Sequence, residues 1–302
     1  MLALSAGGDR AALHLGMIKG LLKKDKNKVK WTHFAGISAG ALVAAEIGQY
    51  KSPEDFHNRV DHMATELGSG NQIVHPWVWS WLGSTINGIW AIFFHKTLFK
   101  SDLPSLIKAN YDATAVTKNG NVLYVGAYNK TKGLYQSFST NNNEENMAKA
   151  ISASASVPLV FPSVNIDSDD FEDGGVSHVI PVKEIIDYYN NETGDIDVLL
   201  AYPTDIEEFM KSEVKKSRFS IFTSTEEVIA ERLYDNMQSD LSIISAALHI
   251  PMVRLLRKNT FKLGNGRTLR FYKPLENKYS SFTHIKKEDI TRMITHGESI
   301  VK

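Results

Sequence analysis

The alternation of short apolar strands with helices in the first 50 residues constrains the fold of this chain most. Leu2–Ser5 is an apolar run that a glycine pair follows, and Ala11–Lys24 continues with leucine and methionine at helical spacing. Trp31–Ile37 is predicted to be a second strand, and Ala39–Glu46 a second, short helix. Strands that alternate with helices predict an α/β fold with a parallel-rich central sheet and helices on both of its faces.

Length and composition are those of one globular unit. The chain has 302 residues, of which 43% are hydrophobic and 23% are charged, and such a chain can bury a sizeable core. We expect one domain over residues 1–302. Residues 50–110 are predicted to form a helical, apolar cap inserted into this domain, and residues 203–302 a helical and mixed extension of it.

Charge and cysteine content exclude several functions. Lysine plus arginine and aspartate plus glutamate both number 34, so the net charge does not favour a nucleic-acid partner. The absence of cysteine excludes disulfides and thiol catalysis, and His57 and His62 lack the spacing of a zinc-binding helix. No metal or cofactor is therefore predicted. The first residues have no signal-peptide pattern, so the cytoplasm is the expected compartment.

A Gly-x-Ser-x-Gly pentapeptide, residues 36–40, stands between the second predicted strand and its helix. A sharp turn there would expose the Ser38 hydroxyl, while Gly36 and Gly40 let neighbouring backbone pass. The helix N-terminus, beginning with the Ala39 N–H, would face a developing negative charge. The pentapeptide indicates a nucleophilic serine, although a plain turn with Ser38 as helix N-cap would have the same sequence.

The loop after the first strand contains a glycine pair and precedes the pentapeptide by one predicted strand–helix unit. If the two strands are parallel neighbours, a right-handed crossover brings both turns to the same edge of the sheet. The backbone N–H groups of this loop can then form an oxyanion hole. The loop residues are Gly7, Gly8, Asp9 and Arg10. The Gly-Lys-Ser/Thr of a nucleotide phosphate loop does not follow them.

A serine nucleophile needs a base, and Asp173 is the candidate. Gly174 and Gly175 follow it, which allows a tight turn with the carboxylate open to a neighbour. The ordinary pKa of aspartate is near 3.9, so Asp173 would need burial or close contact with Ser38 to act near pH 7. Taken alone, Asp-Gly-Gly is also a common loop turn.

Together these motifs resemble those of the patatin-like phospholipase family. Ser5–Arg10 is similar to the family's glycine-rich oxyanion loop, and the pentapeptide matches its serine elbow. Ser152–Pro158 resembles the block that precedes the family's aspartate, and Asp173–Val176 matches the aspartate segment itself. The four motifs follow one another in the family's order.

The resemblance implies a lipid acyl hydrolase of the phospholipase A or lysophospholipase type. In that reaction Asp173 would take the proton of Ser38, and an acyl-enzyme would form. The implied substrate is a phospholipid or another acyl lipid, and no cofactor is needed. The sequence departs from the family pattern at Ala6 and Ala11, which replace glycines, at the acidic Asp9, and at His178, where Asn or Asp is common.

Residues 74–94 contain no Asp, Glu, Lys or Arg, and four of the five tryptophans lie there. We expect an interfacial cap at the mouth of the site, with the tryptophan rings at the level of lipid headgroups and the protein in peripheral contact with a membrane. A buried helical hairpin would have the same composition. The tryptophans are Trp77, Trp79, Trp81 and Trp90.

Two further features leave alternatives open. Residues 241–275 contain basic residues and no acid, which would suit either anionic phospholipid or a solvated face. His249, His284 and His296 follow Asp173, as the third member of an α/β-hydrolase triad would.

Two alternative functions also remain open. The same serine could serve an acyltransferase, or the fold could be kept in a non-catalytic, membrane-binding or regulatory module.

Overall fold

The computed structural model describes residues 1–68, 74–76, 99–101, 103–158, 161–213, 220–276 and 287–301. Its strands are β1 (Leu2–Leu4), β2 (His33–Ile37), β3 (Val74–Pro76), β4 (Phe99–Ser101), β5 (Val122–Asn129), β6 (Leu134–Ser139), β7 (Val164–Ile166), β8 (Asp169–Asp173), β9 (Ile196–Leu199), β10 (Thr260–Lys262) and β11 (Thr268–Tyr272).

Helices fill most of the chain between these strands. They are α1 (Ala11–Asp25), α2 (Ala39–Gly48), α3 (Pro53–Gly68), α4 (Leu103–Asn110), α5 (Ala113–Lys118), α6 (Met147–Ser154), α7 (Val182–Asn191), α8 (Ile206–Glu213), α9 (Ser220–Ala247), α10 (Met252–Arg257) and α11 (Lys287–Val301). The predicted α/β fold is confirmed, and its first strand–helix–strand–helix unit lies where the hydrophobic pattern indicated.

The main sheet has the order β10-β11-β9-β1-β2-β5-β8-β7, with β6 also paired to β5. Its centre, from β11 through β5, is parallel. Strands β6, β7, β8 and β10 pair in antiparallel fashion, and β3 and β4 form a separate pair. Because β1 and β2 are parallel neighbours, the loops that follow them leave the same edge of the sheet.

Side chains alternate between two hydrophobic cores, one on each face of the sheet. Leu2 and Leu4 of β1 belong to the core beneath α1, α2, α3 and α6. Ala3 and Ala35 belong to the core beneath α7, α8, α9 and α10. This alternation follows from the two-residue period of a strand, and it confirms that helices cover both faces.

The pairing of β5 places the end of β8 beside the end of β2. Residues 124–129 of β5 pair with β6 along one side. On the other side β2 pairs as far as Ile37 with Gly126, and β8 continues with Asp173 opposite Ala127. Two strands therefore share one side of β5, one after the other. This arrangement joins Asp173 to the turn after β2.

The structure corrects three details of the predicted elements. Residues Ser224–Glu227 form a capping box that predicts a helix start, but the long helix α9 begins at Ser220, since helix length depends on packing as well as on local capping. The sequence predicts a loop over residues 167–170, but residues 169–170 open strand β8 after a turn at Asp167 and Ser168, both of which have positive φ. The sequence predicts a buried strand over residues 197–202, and the observed strand β9 is Ile196–Leu199.

Candidate active site

Ser38 lies at a strained turn between β2 and α2. Its φ and ψ angles are 56° and −126°, a region that non-glycine residues rarely adopt and that costs about 1–3 kcal/mol. The turn requires its glycines: a Cβ on Gly36 would lie 2.3 Å from the Gly40 carbonyl oxygen, and a Cβ on Gly40 would lie 2.5 Å from the Leu4 carbonyl oxygen. The turn has the form of a nucleophile elbow.

The Ser38 side chain makes no capping hydrogen bond to α2. Ser38 therefore occupies the N-cap position of α2 without capping the helix through its hydroxyl. The elbow is held instead by Ser154 of α6, whose hydroxyl accepts from the Ser38 N–H at 2.9 Å and donates to the Gly126 carbonyl oxygen at 2.6 Å. Ser154 is fully buried.

Asp173 ends β8 and is 4% exposed. Its Oδ1 accepts from the Gly175 N–H at 2.7 Å, and its own N–H donates to the Ser156 carbonyl oxygen at 2.9 Å. A Cβ on Gly174 would lie 2.5 Å from the Gly126 carbonyl oxygen, so only glycine lets this turn lie against the end of β5. Oδ2 is buried and has no hydrogen-bond partner among the described residues.

Burial raises the pKa of Asp173 from about 3.8 to about 7. The Ser38 side chain and the Gly175 N–H lower the pKa, and their combined effect is smaller than that of burial. Ser38 is thus close enough to the carboxyl group to interact with it, although Oδ2 has no regular hydrogen-bond partner among the described residues. A catalytic contact of this kind often tightens only when substrate binds.

The loop after β1 lies beside the elbow. Residues 8–10 form a short 3-10 helix, Gly8 has a positive φ of 54°, and a Cβ on Gly7 would lie 3.8 Å from the Ala39 Cβ. The Arg10 N–H, which the sequence placed among the oxyanion donors, donates to the Gly7 carbonyl oxygen at 2.9 Å and is therefore paired within the loop. The Arg10 guanidinium is buried over the Tyr202 ring.

A buried histidine supports this loop from below. His14 Nε2 lies 3.5 Å from the Ser5 hydroxyl, and its Cε1 would lie 3.4 Å from a Cβ on Gly7. Burial lowers the pKa of His14 to about 4, so the imidazole is neutral at pH 7. His14 carries no local motif that would identify it from the sequence, since it is a single histidine in an apolar helix.

The structure brings together Ser38, Ala39, Asp173 and the Gly7–Arg10 loop. The predicted cap tryptophans, Trp77, Trp79, Trp81 and Trp90, lie outside the described residues. Within the described ranges no cluster of histidine, aspartate and glutamate could hold a metal ion.

None of the described helices is both long enough and apolar enough to cross a bilayer.

Fold and site together define an α/β protein with a serine elbow and a buried aspartate at one edge of a largely parallel sheet. The model of the patatin-like phospholipase family matches residues 2–186, which is more than half of the chain. The chain therefore belongs to the patatin-like phospholipase family. The matched segment contains the elbow, the glycine loop and the aspartate turn.

One solved structure shows how the whole chain compares. VipD from Legionella pneumophila is 17% identical, with a TM-score of 0.44, and the match covers 99% of this chain and 65% of the VipD chain. The chain thus spans about two thirds of that protein's length. No curated protein sequence matches the chain.

Proposed function

We propose that this protein is a serine lipid-acyl hydrolase, of the phospholipase A or lysophospholipase type, that works through Ser38 and Asp173. One observation carries the proposal: the strained Ser38 elbow lies beside a buried carboxyl group whose pKa is raised to about 7. A carboxyl group whose pKa is near the working pH is deprotonated in a large fraction of the molecules and is still basic enough to take a proton from the serine. Membership of the patatin-like phospholipase family supports an ester of a lipid as the substrate.

The proposed reaction has two halves. Asp173 takes the hydroxyl proton as Ser38 Oγ attacks the ester carbonyl, and the tetrahedral intermediate then collapses as its alcohol leaves with that proton. Asp173 next takes a proton from water as the water attacks the acyl-enzyme. Ser38 recovers this proton as the fatty acid leaves.

The oxyanion would be held by backbone N–H groups of Gly7, Gly8 and Asp9 together with that of Ala39. Ala39 is the first residue of α2, where an N–H has no acceptor within the helix. Each preorganised donor of this kind raises the rate by a factor of about 10²–10³. Arg10 is left out of this set because its N–H is bonded to Gly7.

The substrate and its location complete the proposal. An acyl lipid presented by a membrane requires peripheral contact between this edge of the sheet and the lipid surface. Residues 74–94, which carry the cap tryptophans, are the segment proposed to make that contact, because they contain no Asp, Glu, Lys or Arg and hold four of the five tryptophans.

The test measures ester hydrolysis with a fluorogenic acyl ester and with mixed phospholipid vesicles. We expect Ser38→Ala and Asp173→Ala to lose at least 10³-fold in kcat while remaining folded. Asp170→Asn, which changes an exposed aspartate three residues away on the same strand, should retain full activity.

Two outcomes would contradict the proposal. If Ser38→Ala hydrolysed as fast as the wild type, the serine would not be the nucleophile. If the wild type were inactive and were not labelled by a fluorophosphonate probe, the fold would serve a non-catalytic role. Transfer of the acyl group to an added alcohol in place of water would show an acyltransferase on the same dyad.

A further inference from the structure

Helix α9 lies outside the segment matched by the family model, yet it contacts the turn that carries Asp173. Asn236 Nδ2 donates to the carbonyl oxygens of Gly175 at 3.1 Å and Val176 at 3.0 Å. Leu233, one turn earlier on the helix, has its Cδ2 3.6 Å from where a Cβ on Gly175 would lie. One face of α9 therefore packs over Gly175 and Val176, the two residues that follow Gly174 in the turn.

One helical turn further on, Asp240 binds the next part of the same segment. Its Oδ2 accepts from the N–H groups of Val179 at 2.6 Å and Ile180 at 2.8 Å, and its Oδ1 lies 2.5 Å from His178 Nδ1. Asp240 is completely buried. A carboxylate without solvent is stable only when it is paired and hydrogen-bonded. In the part of the chain that the structure describes, the hydrogen-bond partners of Asp240 all come from residues 178–180.

His178 is fixed from the other side as well. The Tyr135 ring stands edge-on to the imidazole at 4.8 Å, and the Tyr135 hydroxyl donates to Glu184. The His178 N–H donates to the Gly174 carbonyl oxygen at 3.0 Å. The side chain of His178 thus lies between the helix and β6, while its backbone closes the turn after Asp173.

Residues 175–180 also connect this helix with the glycine loop. The Val179 N–H donates to Asp240, and the Val179 carbonyl oxygen accepts from the Ala6 N–H at 2.7 Å. Ala6 precedes Gly7 directly. The same short segment therefore joins α9 both to the proposed base and to the proposed oxyanion donors.

We propose that Asp240 and Asn236 of α9, together with His178, are positioning residues that hold the Asp173 turn and the Gly7 loop in catalytic register. This inference rests on the proposed function. None of the three side chains is required to touch the substrate. A displacement of about 1 Å in such supporting groups can reduce the rate about 10²-fold.

The test compares variants of α9 in the full chain, with p-nitrophenyl butyrate as the substrate. We expect Asp240→Asn to lower kcat about 10–100-fold with KM changed less than about threefold, and Asn236→Ala to lower kcat several-fold. Asp235→Asn alters an exposed aspartate of the same helix and should leave kcat unchanged. His178→Ala should lose activity, and His178→Asn should recover most of it, because Nδ2 of asparagine is as many bonds from the backbone as Nδ1 of histidine.

Amide hydrogen exchange separates this inference from the proposed activity. Peptides covering residues 174–180 should exchange at least tenfold faster in Asp240→Asn and at the wild-type rate in Ser38→Ala. A wild type without activity or probe labelling would reject the proposed function. Hydrogen exchange of the α9 variants does not depend on activity, so it would still show whether α9 holds residues 174–180 in place. Unchanged exchange or unchanged kcat in a folded Asp240→Asn would overturn the positioning role. If that variant does not fold, Asn236→Ala and His178→Ala decide by the same criteria.

Discussion

At the scale of single residues, the ionisation of Asp173 links function and stability. A folded-state pKa of about 7 means that the carboxyl group becomes a base only as the pH rises through neutrality. We expect kcat/KM to rise about tenfold per pH unit below pH 7 and to level off above it. A pH–rate profile measured on a soluble ester tests this. A rate independent of pH between 5 and 8 would contradict it.

The same pKa predicts the pH dependence of folding. The folded carboxyl keeps its proton up to about pH 7, whereas the unfolded one loses it near 3.8, so the folded state binds more protons between these values. Stability contributed by this group therefore falls as the pH rises from about 4 to about 7. Asp173→Asn, which cannot ionise, should be inactive but more stable than the wild type at pH 8, by roughly 1–4 kcal/mol.

Denaturant unfolding at pH 4 and pH 8 measures this difference. The increase in the free energy of unfolding that Asp173→Asn causes should be small at pH 4, where the wild-type carboxyl group is largely protonated in the folded protein. Asp170→Asn serves as control, since its side chain is exposed. An Asp173→Asn variant no more stable than the wild type at pH 8 would show that the carboxyl group is not desolvated as described.

Ser154 supplies the third prediction at this scale. Ser154→Ala would remove the partner of two buried groups, the Ser38 N–H and the Gly126 carbonyl oxygen. We expect a loss of about 1–3 kcal/mol in the free energy of unfolding and a lower kcat, because the strained elbow loses its support. Ser152→Ala is the matched control: among the described residues its hydroxyl bonds only to the Ala148 carbonyl oxygen of its own helix, so the effect should be much smaller.

At the scale of elements, the contact between α2 and β1 depends on one glycine. Gly40→Ala would place a methyl group 2.5 Å from the carbonyl oxygens of Leu4 and Ser5, and backbone atoms cannot yield as a side chain does. We expect the free energy of unfolding to fall by about 3 kcal/mol or more, and the variant to have little activity. Gly48→Ala, at the other end of the helix, meets only the Phe34 ring at 3.4 Å and should be tolerated. Thermal unfolding of both variants decides.

Elements with strong local signals were predicted well. The helix predicted over Ala11–Lys24 is observed as Ala11–Asp25. The sequence also predicts a strand over Leu134–Ser139, and β6 has those bounds. The short strand β10 and the helices α8 and α10 were missed. Each has eight residues or fewer, which is too few for hydrophobic periodicity to separate helix, strand and loop.

At the scale of the whole molecule, the last described helix packs on the first. A Cβ on Gly297 of α11 would lie 2.4 Å from the Leu13 carbonyl oxygen of α1, and 2.8 Å from the Gly16 Cα. Gly297→Ala should therefore lower the stability of the whole chain by about 1–3 kcal/mol. Thr295→Ala, at an exposed position of α11, is the control. Equal unfolding midpoints for the two variants would contradict this close packing.

The tertiary structure places the basic residues of 241–275 in two different environments. Arg254 and Arg257 are exposed, whereas Arg267 donates to the carbonyl oxygens of Tyr189 and Glu192, and Lys273 donates to that of Leu256. The run is therefore only partly a solvated face. Several of its charges link α10 and β11 to the rest of the fold.

By itself the sequence determined the fold class, the family resemblance and the Ser38 elbow. These depend on residues within one strand and one turn, where glycine spacing and hydrophobic period act locally. Only the tertiary structure decided that Asp173, at the end of β8, lies beside the end of β2, that burial raises its pKa, and that Ser154 and Asp240 hydrogen-bond to the segments around the site. Those properties arise from sheet pairing and desolvation between residues far apart in the chain, and no local pattern encodes them.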